Sequence, residues 1–422
     1  MKKFAKIFGS ILFACCYLFA AGNCGAMGGG YDGGYAGDYA GGVMEEGAAG
    51  EGTGSDSTSE VVRPAGLITA GAWNDNDNYD MWKSLFAQAE DSSEAGKFYG
   101  YSSVENSWGF TSYNRIKVTV ENGEEKVAGA KVAAKDSEGE LLFEGVTNAN
   151  GVAYLFTDAQ EGIVEVQSGA GQTEAEFTVE NRDLVVEIEE ANEKKNIIEL
   201  MFVVDVTGSM GDELSYLNNE IADVVDKVSV TDENTQINLA LLFYRDHGDE
   251  QVFQYYDFVD VTTEDGLAEQ QAAIAAQRAD GGGDYAEAVD EALELAIDKQ
   301  WSGGETTKIL FMVLDAPPHA GTNNQMTLYS AVTKAAKKGV RICPVLCSGA
   351  DTLTEYTMRQ ASIYTGGTFV FVTDDSGIGN EHYDPQLPNV IIESLNSLMV
   401  RLINGYHSGE FAEPIDWRQE VR

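Results

Sequence analysis

Basic residues are scarce in this 422-residue chain: 27 Lys and Arg stand against 69 Asp and Glu, a formal charge of −42. Such a surface repels nucleic-acid phosphates and anionic lipid headgroups, so neither is an expected partner. It suits a highly soluble exported protein and is compatible with gathering divalent cations. Cysteine is scarce as well. Of five, Cys15, Cys16 and Cys24 crowd the N-terminus, and Cys343 and Cys347 lie four apart on an expected strand. Four extended residues hold their Cα atoms about 13 Å apart, too far for a bridge, which excludes a disulfide framework and leaves two buried thiols. The familiar catalytic signatures are missing too. Gly208-Ser209-Met210-Gly211 is not a nucleophile elbow, and Asp205-Val206-Thr207-Gly208 interrupts the Asp-Thr-Gly triplet of aspartic proteases. No Walker loop or dinucleotide fingerprint follows the first buried strand. No enzyme class is favoured.

What is present divides the chain into segments. Lys2, Lys3 and Lys6 precede an apolar run from Ile7 to about Ala21 that is too short for a confident membrane span and patterned as an export signal. A cut near Ala20-Ala21-Gly22 gives a signal peptide over 1–22; Leu12-Phe13-Ala14-Cys15 resembles a lipobox, so lipidation at Cys15 is the alternative to a freely secreted product. Otherwise no membrane insertion is expected after cleavage. Residues 23–62 are dominated by Gly, Ala, Tyr, Asp and Ser, a composition that cannot pack and reads as a disordered tether. Residues 63–113 have no assigned role. Their run Asn74-Asp-Asn-Asp-Asn-Tyr-Asp80 places oxygen ligands at alternate positions, but it lacks the Gly and terminal Glu of an EF-hand loop, so a polar turn is the better reading.

Across 114–191 the pattern has period two. Arg115–Val120, Lys131–Ala134, Leu141–Phe143, Val152–Phe156, Ile163–Val166, Ala175–Val179 and Leu184–Ile188 are expected strands of a small antiparallel sandwich. Val127-Ala-Gly-Ala-Lys-Val132 followed by Val146-Thr-Asn-Ala-Asn-Gly-Val-Ala-Tyr154 resembles the carboxypeptidase regulatory-like family, which implies a spacer or binding module. Strands and helices then alternate over 196–408, the signature of a doubly wound, mostly parallel α/β sheet, ahead of a tail at 409–422. After the first strand the expected strands are Ile237–Tyr244, Gln251–Val259, Lys308–Leu314, Val340–Leu346 and Thr368–Thr373. The expected helices are Asp212–Val228, Thr263–Arg278, Tyr285–Lys299, Gln325–Lys338, Thr352–Tyr364 and Leu387–Asn404.

The first strand of this region carries the chemistry. Ile197-Ile-Glu-Leu-Met-Phe-Val-Val is an apolar run that stops on Asp205, with Thr207 and Ser209 following in a tight loop before a helix. Open α/β sheets place ligands at that edge, and a carboxylate with two hydroxyls is a hard, all-oxygen donor set suited to Mg²⁺. The stretch resembles the metal-ion-dependent adhesion site of von Willebrand factor A domains, with Thr207 at the first hydroxyl position. The resemblance implies a second carboxylate at the end of a later strand, where Asp315 stands, and a hydroxyl in an intervening loop. That loop, Ala279-Asp-Gly-Gly-Gly-Asp284, has no Thr; Asp284 is the nearest oxygen, with a carbonyl or water at Gly283 as the fallback. Asp-x-Thr-Gly-Ser-Met, Tyr244-Arg-Asp246, Gly-Gly-Gly-Asp284 and Asp315-Ala-Pro-Pro-His319 together resemble a subset of bacterial and alpha-kinase-associated A domains.

The implied function is an exported or cell-surface protein that uses Mg²⁺ (Mn²⁺ or Ca²⁺ as substitutes) to bind a carboxylate of a protein partner. The alternatives are an envelope-assembly protein with a purely stabilising metal, or a metal-dependent phosphoesterase. Arg245, Asp246, His247 and His319 read either as a loop-holding ion-pair group or as the rim around the cation.

Overall fold

A computed structural model of the protein describes residues 66–88, 95–212, 214–229 and 234–420. The export signal, the lipobox and the glycine-rich stretch lie outside the described residues. No described helix is long and apolar enough to cross a membrane.

The α/β region is built on a run whose residues are buried on both faces. The strand Ile197–Asp205 (β10) alternates its side chains between two apolar layers, Leu200, Phe202 and Val204 into one and Met201 and Val203 into the other. It pairs in parallel with Gln236–Tyr244 (β11) on one side and Thr307–Leu314 (β13) on the other. Val340–Leu346 (β14) and Phe369–Thr373 (β15) continue the parallel set, and Phe253–Asp260 (β12) closes one edge antiparallel to β11. Helices Leu214–Ser229 (α2), Glu264–Ala275 (α3) and Leu395–Ser408 (α7) cover one face, and Val289–Ile297 (α4), Thr322–Lys338 (α5) and Thr352–Thr365 (α6) cover the other. These elements follow the sequence expectation with helix ends shifted by a few residues, the starts of α4 and α7 being displaced furthest.

α4 begins at Val289 rather than Tyr285, because Glu287 is held by its backbone N–H to the Pro317 carbonyl at 3.0 Å. α7 begins at Leu395 rather than Leu387. Pro388 disfavours a helical conformation at Leu387, and Gln386 and Asn389 both adopt positive φ.

Residues 66–113 supply the other edge of this sheet. Thr69–Trp73 (β1) pairs antiparallel with β15 from Thr69↔Thr373 to Trp73↔Phe369, and Glu393–Ser394 (β16) pairs with β1 outside it. The chain is led into β1 by Glu220 of α2, whose carboxylate accepts the N–H groups of Gly66, Leu67 and Ile68 at 2.8–3.2 Å. Period two is faint around β1: Ile68, Ala70 and Ala72 share one core layer, but the run is short, its apolar residues are mostly small and Gly71 interrupts it. Gly71 sits where a Cβ would lie 2.5 Å from the Phe371 ring and 2.7 Å from Val390, so those two side chains occupy the space that a larger residue would need.

The Asn/Asp run is a polar turn that faces inward. Asn74 Oδ1 accepts the N–H groups of Asn76 and Asp77, and Asn76 Nδ2 donates to the Ile363 carbonyl. Asp75 is buried against Arg359 of α6, whose Nε donates to it at 2.9 Å and whose Nη1 donates to Glu355 at 2.9 Å.

The intervening residues form two four-stranded sheets. Arg115–Asn122 (β2) is flanked by Glu125–Lys126 (β3) and Val152–Phe156 (β6), and Asp183–Glu187 (β9) pairs with it in parallel rather than antiparallel. Lys131–Lys135 (β4), Leu141–Val146 (β5), Glu161–Ser168 (β7) and Gly171–Thr178 (β8) make the second sheet. Ile116, Val118 and Leu155 of one sheet share a core with Val132, Val164 and Phe177 of the other. That core runs on into α6, where the Tyr364 ring stacks on Phe156 at 4.4 Å and meets Phe143 edge-on.

The Arg359 group gives a direct test of how far residues 66–113 are part of the fold. Arg359→Met strands the buried carboxylate of Asp75, while Glu355 keeps Lys97 and the Tyr383 hydroxyl; one uncompensated buried charge typically costs about 3–5 kcal/mol. Urea unfolding should show a midpoint lowered to match, with the transition still single.

Candidate metal centre

Register brings the first two carboxylates together. Asp205 pairs with Tyr244, and Val204 pairs with Val313, so Asp205 and Asp315 leave adjacent parallel strands at nearly the same level. Both are buried, as is Thr207. Asp205 Oδ1 accepts the Thr207 N–H at 2.8 Å and the Thr207 hydroxyl at 2.7 Å, and Thr207 Oγ1 lies 3.1 Å from Ser209 Oγ. Ser209 is exposed at the mouth of this group. The loop therefore folds as a carboxylate capped by its own following residues, with two hydroxyls leading outward.

The glycine-rich loop is laced to the first by backbone bonds: the Asp280 N–H donates to the Val206 carbonyl and the Gly208 N–H to that of Gly281, each at 3.1 Å. Arg245 supports it from below, donating to the carbonyls of Asp280 (2.8 Å) and Arg278 (3.0 Å). It grips carbonyls here and pairs with no carboxylate among the described residues, where the sequence reading considered a loop-holding ion pair. Asp249 accepts the N–H groups of Gly282 (3.0 Å) and Asp246 (3.2 Å). Asp284 and Gly283 lie exposed on the outer turn of the loop.

The carboxylate that this loop delivers inward is Glu287, which sequence reasoning passed over. It is 3% exposed and lies against Thr207, both side chains coming within 3.4 Å of where a Cβ on Gly282 would stand. Burial raises its carboxyl to about 9, with Asp205, Asp246, Asp315 and Asp249 pushing the same way. Asp205 rises to about 6, chiefly by burial and against its hydrogen bonds from Thr207. One signal was available: Glu287 is an acidic residue between two alanines, one turn before a wholly apolar helix face.

This arrangement fits a cation. Glu287 Oε2 is buried and makes no hydrogen bond among the described residues, and Asp205 Oδ2 is buried with the Tyr244 hydroxyl beside it. Neither Asp205 nor Glu287 forms an ion pair among the described residues. Buried carboxylates at such density are ordinarily paired or coordinate metal. The donors are all oxygen, the set that suits a hard divalent ion.

Residues 199–373 match the sequence profile of the family described as von Willebrand factor A domain. This part of the chain is a von Willebrand factor A domain. The A domain extends beyond the matched residues in space, since β1 and β16 complete its sheet. An ariadne-like RING finger protein of Acanthamoeba polyphaga mimivirus is 31% identical over 127 residues, 30% of this chain and 12% of that protein. Among solved structures, BatB from Bacteroides thetaiotaomicron aligns over 50% of this chain and all of its own at 13% identity, TM-score 0.35. Proximal thread matrix protein 1 of the mussel byssus, with a zinc-occupied MIDAS motif, aligns over 40% of this chain and 39% of its own at 18% identity, TM-score 0.31.

The glycines of the A-domain loop differ in what they tolerate. Gly281 has φ +81°, and a Cβ there would lie 2.5 Å from both Asp249 carboxylate oxygens, whereas a Cβ on Gly283 would meet nothing. Gly281→Ala is expected to lower stability by more than about 1 kcal/mol, and Gly283→Ala to stay within about 0.5 kcal/mol of the parent. Parallel urea titrations read both.

Proposed function

We propose that the protein is an exported or cell-surface binding protein whose A domain holds a divalent cation and uses it to capture an acidic group on a protein partner. The observation that carries this reading is the convergence of the buried carboxylates Asp205, Glu287 and Asp315, with Glu287 Oε2 left unsatisfied. Asp205, Thr207, Ser209 and Asp315 would hold the ion, and Glu287 takes the place first considered for Asp284. Mg²⁺ suits these donors best, with Mn²⁺ or Ca²⁺ as substitutes.

When bound, the cation supplies positive charge at a rim that is otherwise acidic. This chain's residues do the rest. Asp205, Glu287 and Asp315 fix the ion at the sheet edge, Thr207 orients Asp205, and Ser209 stands at the open side that a partner's carboxylate would approach. Von Willebrand factor A domains serve in general as adhesion and binding modules, which agrees with a role in attachment or assembly and gives no positive sign of catalysis. Export rests on the N-terminal pattern of charge followed by apolar residues.

Thermal unfolding with Mg²⁺ or Mn²⁺ against EDTA tests the reading. Metal at a hundred times its Kd should add about 2.7 kcal/mol of stability to the parent. Asp205→Asn should abolish that increment and Glu287→Gln should reduce it, whereas Asp284→Ala should leave it intact. A parent protein whose melting temperature is indifferent to metal would refute the cation site. Loss of the increment in Asp284→Ala, but not in Glu287→Gln, would return the third carboxylate to Asp284.

A further inference from the structure

Beside the all-oxygen cluster lies a second group of donors of different chemistry, and we propose that it is a separate site for a borderline transition metal such as Zn²⁺. It consists of Asp246 and His247, on the loop after β11, and His319, on the loop after β13. One ligand atom from each residue can be chosen so that all three lie within 4.8 Å of one another. His319 Nε2 is 2.8 Å from Asp246 Oδ1, and the two imidazole rings stack at 5.6 Å between centroids with 28° between planes. The chain has only four histidines, and two of them meet here.

The geometry is that of a site that closes with little movement. Bonds of about 2.0–2.1 Å around a tetrahedral ion place neighbouring ligand atoms about 3.3 Å apart. Asp246 is buried and its position is fixed, since its N–H is held by Asp249. His319 follows Pro317 and Pro318, which stiffen its loop. His247 is the adjustable ligand: its side chain is half exposed, and Nε2 lies 3.5 Å from the exposed Glu291 carboxylate, a fourth donor within reach. Beyond His319, Asp290 is buried and accepts from Asn324 Nδ2 at 3.3 and 3.4 Å.

Two imidazoles and a carboxylate select against Mg²⁺ and favour Zn²⁺, Co²⁺, Ni²⁺ or Cu²⁺. Three protein ligands with a solvent-facing side leave a coordination position open, the pattern of an exchangeable rather than a sealed structural ion. The His319–Asp246 contact and the longer His247–Glu291 contact account for the residues only in separate pairs and not for the stacking of the two imidazoles. A bound metal accounts for all three. The inference stands apart from the cation at Asp205, because it uses none of those donors.

Metal-stripped full-length protein, saturated with Mg²⁺ and titrated with Co²⁺ as a coloured stand-in for Zn²⁺, tests the site. One equivalent should give the visible absorption of a low-symmetry, nitrogen-ligated ion and should be displaced by Zn²⁺. Asp205→Asn should retain the bands. His247→Ala, a change at an exposed side chain, should weaken Co²⁺ at least tenfold, the loss that even an outer partner of a metal ligand causes. His319→Gln should abolish the bands while circular dichroism stays unchanged. Absence of Co²⁺ binding, bands indifferent to both histidines, or bands lost in Asp205→Asn alone would each overturn the proposal.

Discussion

Like charges confined in a place that water cannot reach are the constraint on which this structure turns. Asp205, Glu287 and Asp315 come from three separate connections and are driven to one point by strand register and a laced loop. A folded chain tolerates that only if the groups take up protons or meet a positive ion. Burial favours proton uptake at Glu287, whereas Thr207 donates to Asp205 and so favours its charged form. The loop architecture can be read as the means of enforcing this convergence. Arg245 and Asp249 hold the glycine-rich turn in place, and the bond from Glu287 to Pro317 ties that turn to the Asp315 loop.

The same economy of polar groups recurs where the N-terminal segment joins the sheet. Glu220 satisfies three backbone donors at once, and Arg359 bridges Asp75 and Glu355 beneath it. These are buried polar groups with every partner supplied, and they fix the position of a short strand that has little apolar surface of its own. The two smaller sheets are joined to the same body by Tyr364, whose ring completes their core from the outside.

Much of the A domain was legible because its signals are local. β10, β13 and β14 are continuous apolar runs, and a run of that kind that ends on Asp205 or Asp315 announces both the strand and the buried carboxylate at its end. β1 and β16 were not legible, since each is short and gains its strand conformation only from a partner hundreds of residues away. Leu387 misled for a physical reason: the apolar period continues through a Pro-Asn turn that the backbone cannot follow as a helix. The third loop was harder still. Its most conspicuous acid, Asp284, points to solvent, while Glu287 takes the buried position because the Pro317–Pro318 segment captures its backbone before α4 can begin.

The pairing of Thr69 with Thr373 has a temporal side. The earliest described strand finds its partner only after some three hundred further residues have been made, so the sheet cannot close until nearly the whole chain is available. Contacts this distant in sequence slow folding and leave strand edges open while they wait. During synthesis, the edge of β15 and the unpaired β1 segment are thus the surfaces that most need shielding from other chains.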